Sequence, residues 1–176
     1  MKNKEAYLRA AFQKVIPLFY ESGFPIDEIE ENIEITCTDI RKSWAGYCKQ
    51  TISDDYYPEE KYKIVISNSV DNGFNAIEVL IHEVCHAIQY HLYQGNVKPH
   101  GREFKGIAEK VGLTGRMTQT YADADLKVKI NEWEKDIGEY PHHYSLAEKI
   151  ENWIIYLFSY FGPLYLLATV VNYNTQ

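Results

Sequence analysis

Two histidines four residues apart flank a glutamate in the segment His82-Glu83-Val84-Cys85-His86. On an α-helix a four-residue step turns about 40° around the axis, so both imidazoles face one side and can reach one ion. Glu83, one position on, cannot readily share that coordination, but it can lie beside the ion and take a proton from a bound water. Zinc suits imidazole donors and lowers the pKa of such a water towards about 7. These are the roles of the residues in the HExxH motif of zinc peptidases, so the chemistry expected is hydrolysis of a peptide bond. Glu83 would accept the proton as the water oxygen attacks the carbonyl, and then return it to the leaving amine. Val84 and Cys85 are apolar, as a helix packed on a core requires, and Cys85 reads as a small buried hydrophobe rather than a ligand.

A catalytic zinc generally takes three protein donors and keeps one position open. His91 lies five residues beyond His86, about 140° away around the axis, and reads as a surface histidine. His142 and His143 are further imidazoles late in the chain. His100 follows Gly95 and Pro99, where a short turn can fold it back over the helix, and it is the preferred third donor. A carboxylate is the main alternative that zinc accepts.

These residues need elements to hold them. Asn75 as N-cap, Glu78 three residues later and Phe74 facing Val79 form a helix-start signature, predicting a helix over 76–94 that stops at Gly95. Upstream, Leu8, Ala11, Phe12, Val15, Ile16 and Phe19 recur at helical spacing over 5–20, until Gly23 and Pro25. Ile33, Ile35 and Cys37 alternate with polar residues, as do Tyr62, Ile64 and Ile66, and the segment 44–51 lies between them. Three short strands are expected. The last two are joined by the polar loop Asp54-Asp55-Tyr56-Tyr57-Pro58-Glu59-Glu60, long enough for an antiparallel connection. Two more helices are expected, one carrying Phe104, Ile107, Ala108 and Val111, the other Leu126, Ile130, Trp133 and Ile137. Cys37 and Cys48, on strands read as neighbours, are core candidates. Gly46 marks an edge where a substrate backbone can approach closely. Tyr47, Arg102 and Tyr121 are candidates for stabilising an oxyanion, with nothing to choose among them.

The chain of 176 residues is 45% hydrophobic, enough for one domain with a core of its own. Its net charge of −7 argues against a strong phosphate-binding surface, so nucleic acid is expected as a partner only indirectly, if at all. Three scattered cysteines build neither a disulfide framework nor a zinc ribbon, and the N-terminus has no secretory signal. A cytoplasmic setting is expected. Residues 153–171 form an uncharged stretch of 19, of which 15 are apolar. That length can just span a bilayer, with Trp153, Tyr156 and Tyr173 placed for its interfaces. The central Gly162-Pro163 instead suits a hairpin or a broken helix packed on protein. Membrane attachment and protein packing both stand as readings of this stretch.

The motif helix, the break after it and the run Pro99-His100-Gly101-Arg102-Glu103-Phe104-Lys105 together resemble the SprT-like (Spartan-type) family of compact zincins. The resemblance covers roughly residues 5–143. It is closest to the SprT-like proteins of bacteriophage and prophage genomes, through Trp44-Ala45-Gly46-Tyr47-Cys48, Gly112-Leu113-Thr114-Gly115-Arg116-Met117-Thr118 and Gly138-Glu139-Tyr140-Pro141-His142. It implies His82, His86 and His100 as zinc ligands and Glu83 as the base. It also implies an α+β fold: an N-terminal helix, a small, mostly antiparallel three-stranded sheet, the metal helix packed on it and the helices that follow. Residues 1–143 would form the catalytic domain, and 144–176 an apolar appendage in place of the cysteine-rich ribbon of many relatives. The expected activity is that of a zinc metalloendopeptidase acting on protein or peptide substrates, with DNA-associated proteins suggested by the resemblance. The alternative is a zinc-stabilised binding module without catalysis, serving phage or transcription biology. Glu83 favours the enzyme, since a purely structural site needs no base and generally closes its fourth position with protein.

Overall fold

A computed structural model describes residues 3–41, 43–52, 60–94 and 97–141. The chain divides into two units, Met1–His142 and His143–Gln176, and every described residue lies in the first. The stretch 153–171, His142, His143 and Gly95 fall outside the described residues.

The first helix, α1 (Lys4–Glu21), is capped by Asn3, whose side chain accepts from the Ala6 amide. It buries the stripe Tyr7, Leu8, Ala11, Phe12, Val15, Leu18 and Phe19. Two 3-10 turns, Ile26–Glu28 and Glu30–Asn32, then lead into the sheet. The strands are β1 (Ile33–Thr38), β2 (Gly46–Ile52) and β3 (Glu60–Ser67), in the spatial order β1-β3-β2. Strand β3 takes the centre because it is the most apolar, with Tyr62, Ile64, Val65 and Ile66 all buried. It runs antiparallel to β2, with Cys48 opposite Ile64, as the connecting loop suggests. It runs parallel to β1, with Ile35 beside Ile64, so the sheet is mixed. Cys37 and Cys48 therefore sit on the two outer strands with β3 between them, not on neighbours, although both pack against the core.

The second helix, α2 (Gly73–Tyr93), starts earlier than its sequence signature suggests. Its N-cap is Asn72, not Asn75. Asn72 has an extended backbone and its side chain accepts from the Asn75 amide, which places Asn75 inside the first turn. Gly73 opens the helix in a crowded place, where a Cβ would lie 2.6 Å from a Glu134 carboxylate oxygen and against the Tyr7 hydroxyl. Glu78 is thus freed from the capping role and accepts from the Ala122 amide instead. Phe74 and Val79 lie within the helix, and both pack against the core. At the other end Gln94, in the left-handed region at φ 50°, closes the helix by donating its amide to the Tyr90 carbonyl.

After the turn at 97–101 come α3 (Arg102–Lys110), a hairpin of β4 (Leu113–Arg116) and β5 (Gln119–Ala122), and α4 (Ala124–Ile137). The two helices match the apolar spacing. The hairpin was not expected, because four-residue strands offer too few positions to show an alternating pattern. Asp123 caps α4 by accepting from the Leu126 amide. The fold is α+β, with the inner face of the sheet, α1, α2, α3 and α4 contributing to one apolar core. No helix among the described residues is long and apolar enough to cross a membrane.

The shifted cap gives a direct test. Asn72→Ala should cost about 1 kcal/mol by loss of its bond to the Asn75 amide, whereas Asn75→Ala should stay within about 0.5 kcal/mol. Urea unfolding of the two variants measures the difference, and the reverse ranking would restore Asn75 as the cap.

Candidate metal centre

One edge of α2 carries His82 and His86 towards the turn that holds His100. The His100 Nε2 lies 3.3 Å from that of His82 and 3.1 Å from that of His86. Ligand atoms of all three histidines lie within 4.8 Å of one another, so they can hold a metal ion. Two nitrogens at about 2.0–2.1 Å from a tetrahedral ion are themselves about 3.3 Å apart, so the measured separations fit that geometry. Nitrogen donors of this kind suit zinc and other borderline metals. Phe104, fully buried at the start of α3, supports all three rings, with centroids at 4.3 Å from His86, 4.9 Å from His82 and 5.1 Å from His100.

The other nitrogen of each helix histidine is also engaged. His82 Nδ1 is 2.8 Å from the Thr120 hydroxyl on β5, and His86 Nδ1 is 3.4 Å from the Gln89 side-chain oxygen. Burial, with the neighbouring imidazoles adding to it, pushes His82 down to about 4 and His86 down to about 3. Burial lowers His100 as well. The rings are therefore neutral at physiological pH, the form in which imidazole donates to a metal.

Glu83 is turned inward, only 4% exposed. The Cys48 backbone amide donates to its carboxylate, while Oε2 is buried without a partner. Burial pushes this carboxyl up to about 8, and the Cys48 amide offsets part of the rise. The glycine at 46 makes the room: a Cβ there would lie 2.9 Å from Val79 Cγ1, 3.0 Å from Glu83 Oε1 and 3.0 Å from the Val65 carbonyl. The absent side chain of Gly46 thus makes room for the protein's own helix and strand on that side, while β2 remains an outer strand of the sheet.

The remaining candidates have contacts of their own. His91 is not an isolated surface residue. Its Nε2 is 3.0 Å from Glu28 and its Nδ1 3.7 Å from Glu60, which ties the end of α2 to the first 3-10 turn and to β3. Cys85 is fully buried, as expected. Tyr47 packs its ring against Trp44, Tyr121 is 52% exposed with its ring over Gly115, and Arg102 is exposed at the start of α3. Sequence reasoning missed Gln89 and Thr120. Gln89 carried a usable signal, because position 89 follows His86 by three and shares its helix face. Thr120, 38 residues from His82, carried none.

A helix presenting two histidines, a third from the following turn and a buried glutamate between the first two define a compact α+β domain whose three histidines can hold a metal ion. Residues 16–129 match the SprT-like family, and the chain belongs to that family. A stretch of 65 residues is 37% identical to Protein SprT of Vibrio parahaemolyticus, covering 36% of this chain and 39% of that protein. The match thus spans well under half the length of this curated relative. No solved structure matches the chain.

Two outcomes follow from these contacts. The first concerns Gly46→Ala, whose new methyl would press on a backbone carbonyl that cannot yield. It should destabilise the fold by about 1–3 kcal/mol, read as a lower Tm. A Tm equal to wild type would mean that α2 and β2 separate freely there.

The second is the pH dependence of the chelator-treated protein. His82 and His86 have depressed values, so they add stability above 6.5 that is lost as pH falls towards about 4 and 3, where the folded rings finally protonate. Glu83 has a raised value, so its contribution is present below 4.5 and lost as pH rises through about 8. Below 6.5 two histidines outweigh one glutamate, and above it only the glutamate acts. From these three groups, urea midpoints should peak near pH 6.5, and Glu83→Gln should flatten the fall between 6.5 and 8. Midpoints that kept rising to pH 8 in the wild type would contradict the burial of Glu83.

Proposed function

We propose that this chain is a zinc-dependent metallopeptidase in which His82, His86 and His100 hold the ion and Glu83 is the general base. What carries the reading is the convergence of three Nε2 atoms on the helix that also carries a buried carboxylate oxygen without a partner. A zinc ion bound there supplies a Lewis acid and a water acidified towards about pKa 7.

The protein's own groups do the rest. Three neutral imidazoles donate without charge, so the positive field of the ion is not cancelled by its ligands. Glu83, whose carboxyl burial raises to about 8, would be favoured in its ionised form, the state needed to accept a proton, by a cation held at the three histidines. Oε2 is the free acceptor, because the carboxylate is already anchored by the Cys48 amide. Phe104 excludes water from beneath the rings and fixes their planes, which limits reorganisation during turnover. The substrate in this reading is a protein or peptide, and membership of the SprT-like family supports a metalloprotease-like role.

Glu83→Gln should keep the metal and lose hydrolysis by a factor of about 10²–10⁴, because the amide accepts no proton. Metal content by mass spectrometry and cleavage of casein, or of a protein crosslinked to DNA, are the measurements. Turnover unchanged in this variant would sink the assignment of the base. A wild type that binds zinc but cleaves neither substrate would favour the non-catalytic binding module. His82→Ala should weaken zinc binding and abolish the rise in Tm that zinc gives the wild type. Equal melting temperatures with and without zinc in the wild type would overturn the coupling between site and fold.

A further inference from the structure

Lys98 presents only its carbonyl oxygen to Gln89, and a carbonyl can only accept. The Gln89 side-chain nitrogen lies 2.9 Å from it, so the amide group must point its NH₂ that way. Gln89 is only 1% exposed, which leaves its amide no solvent in which to turn over. Its remaining atom, Oε1, also only accepts, and it faces His86 Nδ1 at 3.4 Å. Nδ1 must therefore be the protonated nitrogen of His86, and the lone pair is left on Nε2, the atom that faces His100.

The same amide reaches the third histidine. The Lys98 carbonyl also accepts from the Gly101 amide at 3.0 Å, closing the turn that carries His100. Gln89 thus joins the tautomer of one histidine to the position of another. On the far side of the site, Thr120 lies 2.8 Å from His82 Nδ1, held there by β5, whose Ala122 amide donates to Glu78 on the same helix. A hydroxyl can donate or accept, and in the metal-site reading, where Nε2 keeps its lone pair for the ion, it accepts the Nδ1 proton.

We infer that Gln89 and Thr120 are positioning residues which fix the Nδ1-protonated tautomers of His86 and His82, and that Gln89 also pins the His100 turn, so the three donor nitrogens are aligned before a metal arrives. This rests on the metal-site reading above. Outer contacts of this type generally carry a 10–100-fold effect on metal affinity. The 3.4 Å bond of Gln89 is longer than the 2.8 Å bond of Thr120, so its effect through the tautomer alone should be the smaller. Its hold on the turn adds to it.

The test uses the full chain with three conservative variants. Gln89→Met keeps the volume and loses both hydrogen bonds, Thr120→Val keeps the shape and loses the hydroxyl, and Thr120→Ser restores it. Nitrogen-15 shifts of the imidazoles in chelator-treated protein report the tautomers directly, and competition with a chromophoric chelator reports zinc affinity. Wild type should show Nδ1-protonated rings at His82 and His86. Thr120→Val should disturb only His82, and Gln89→Met should disturb His86 and speed amide exchange at residues 98–101. Both should weaken zinc binding about 10–100-fold, with Thr120→Ser close to wild type. Tautomers and affinities unchanged in both variants would overturn the inference, since side chains that only fill space are replaced equally well by Met and Val. If the wild type binds no zinc, the metal-site reading fails, and the metal-free tautomers still decide this one: mixed or Nε2-protonated rings at both positions overturn it.

Discussion

A helix that takes twelve of its 21 residues out of water must find a partner inside the protein for each polar atom it buries. Helix α2 does so with a different element on each side. The Cys48 amide of β2 meets Glu83, the Thr120 hydroxyl of β5 meets His82, and the Ala122 amide beside it meets Glu78. Gln89, from α2 itself, meets His86 and hands its own amide on to the Lys98 carbonyl. The arrangement of strands and turns around the helix is largely the set of answers to that one requirement. Apolar packing supplies the bulk of the stability, and these few polar contacts fix which packing is adopted.

The exception is informative. Among the buried atoms of α2, Glu83 Oε2 has no partner. Leaving a buried oxygen unpaired costs about 1–3 kcal/mol, and a fold that has solved every neighbouring case leaves this one open. Such an atom calls for an explanation, and a site that needs a free acceptor is one; the Tyr7 and Tyr140 hydroxyls are buried without a partner as well. Glu83 Oε2 lies on the inward side of the helix that carries His82 and His86, and it belongs to the residue whose acid–base role the spacing of the motif first suggests.

Much of this was legible in the sequence because it is local. Two histidines at a four-residue step on an apolar helix declare their common face without any knowledge of the fold. The turn at Pro99 and His100 is near enough in the chain to be seen folding back. The amphipathic stripe of α1 and the alternation of β1 and β3 follow from periodicity alone. What was missed is either long-range or a matter of one turn of helix. The pairing of β1 with β3 in parallel depends on where β2 is placed, which no strand announces by itself. The cap at Asn72 lost to Asn75 because both are asparagines ahead of an apolar run, and nothing local tells them apart. Thr120 sits on a hairpin too short to show a pattern and meets His82 across 38 residues.

The anchoring of Glu83 by a main-chain amide has a further bearing, on how freely β2 can change over generations. A side-chain partner can be deleted by a single codon change, but the N–H at position 48 survives any replacement except proline. Drift along β2 can therefore alter the chemistry at the rim of the site, residue by residue, while the carboxylate keeps its hold. The one position without that freedom is the glycine two residues earlier, where any added carbon collides with the helix. Variation in this strand is in that sense channelled: broadest at the exposed position 49, limited at 48 to side chains that pack against the core, and closed at 46.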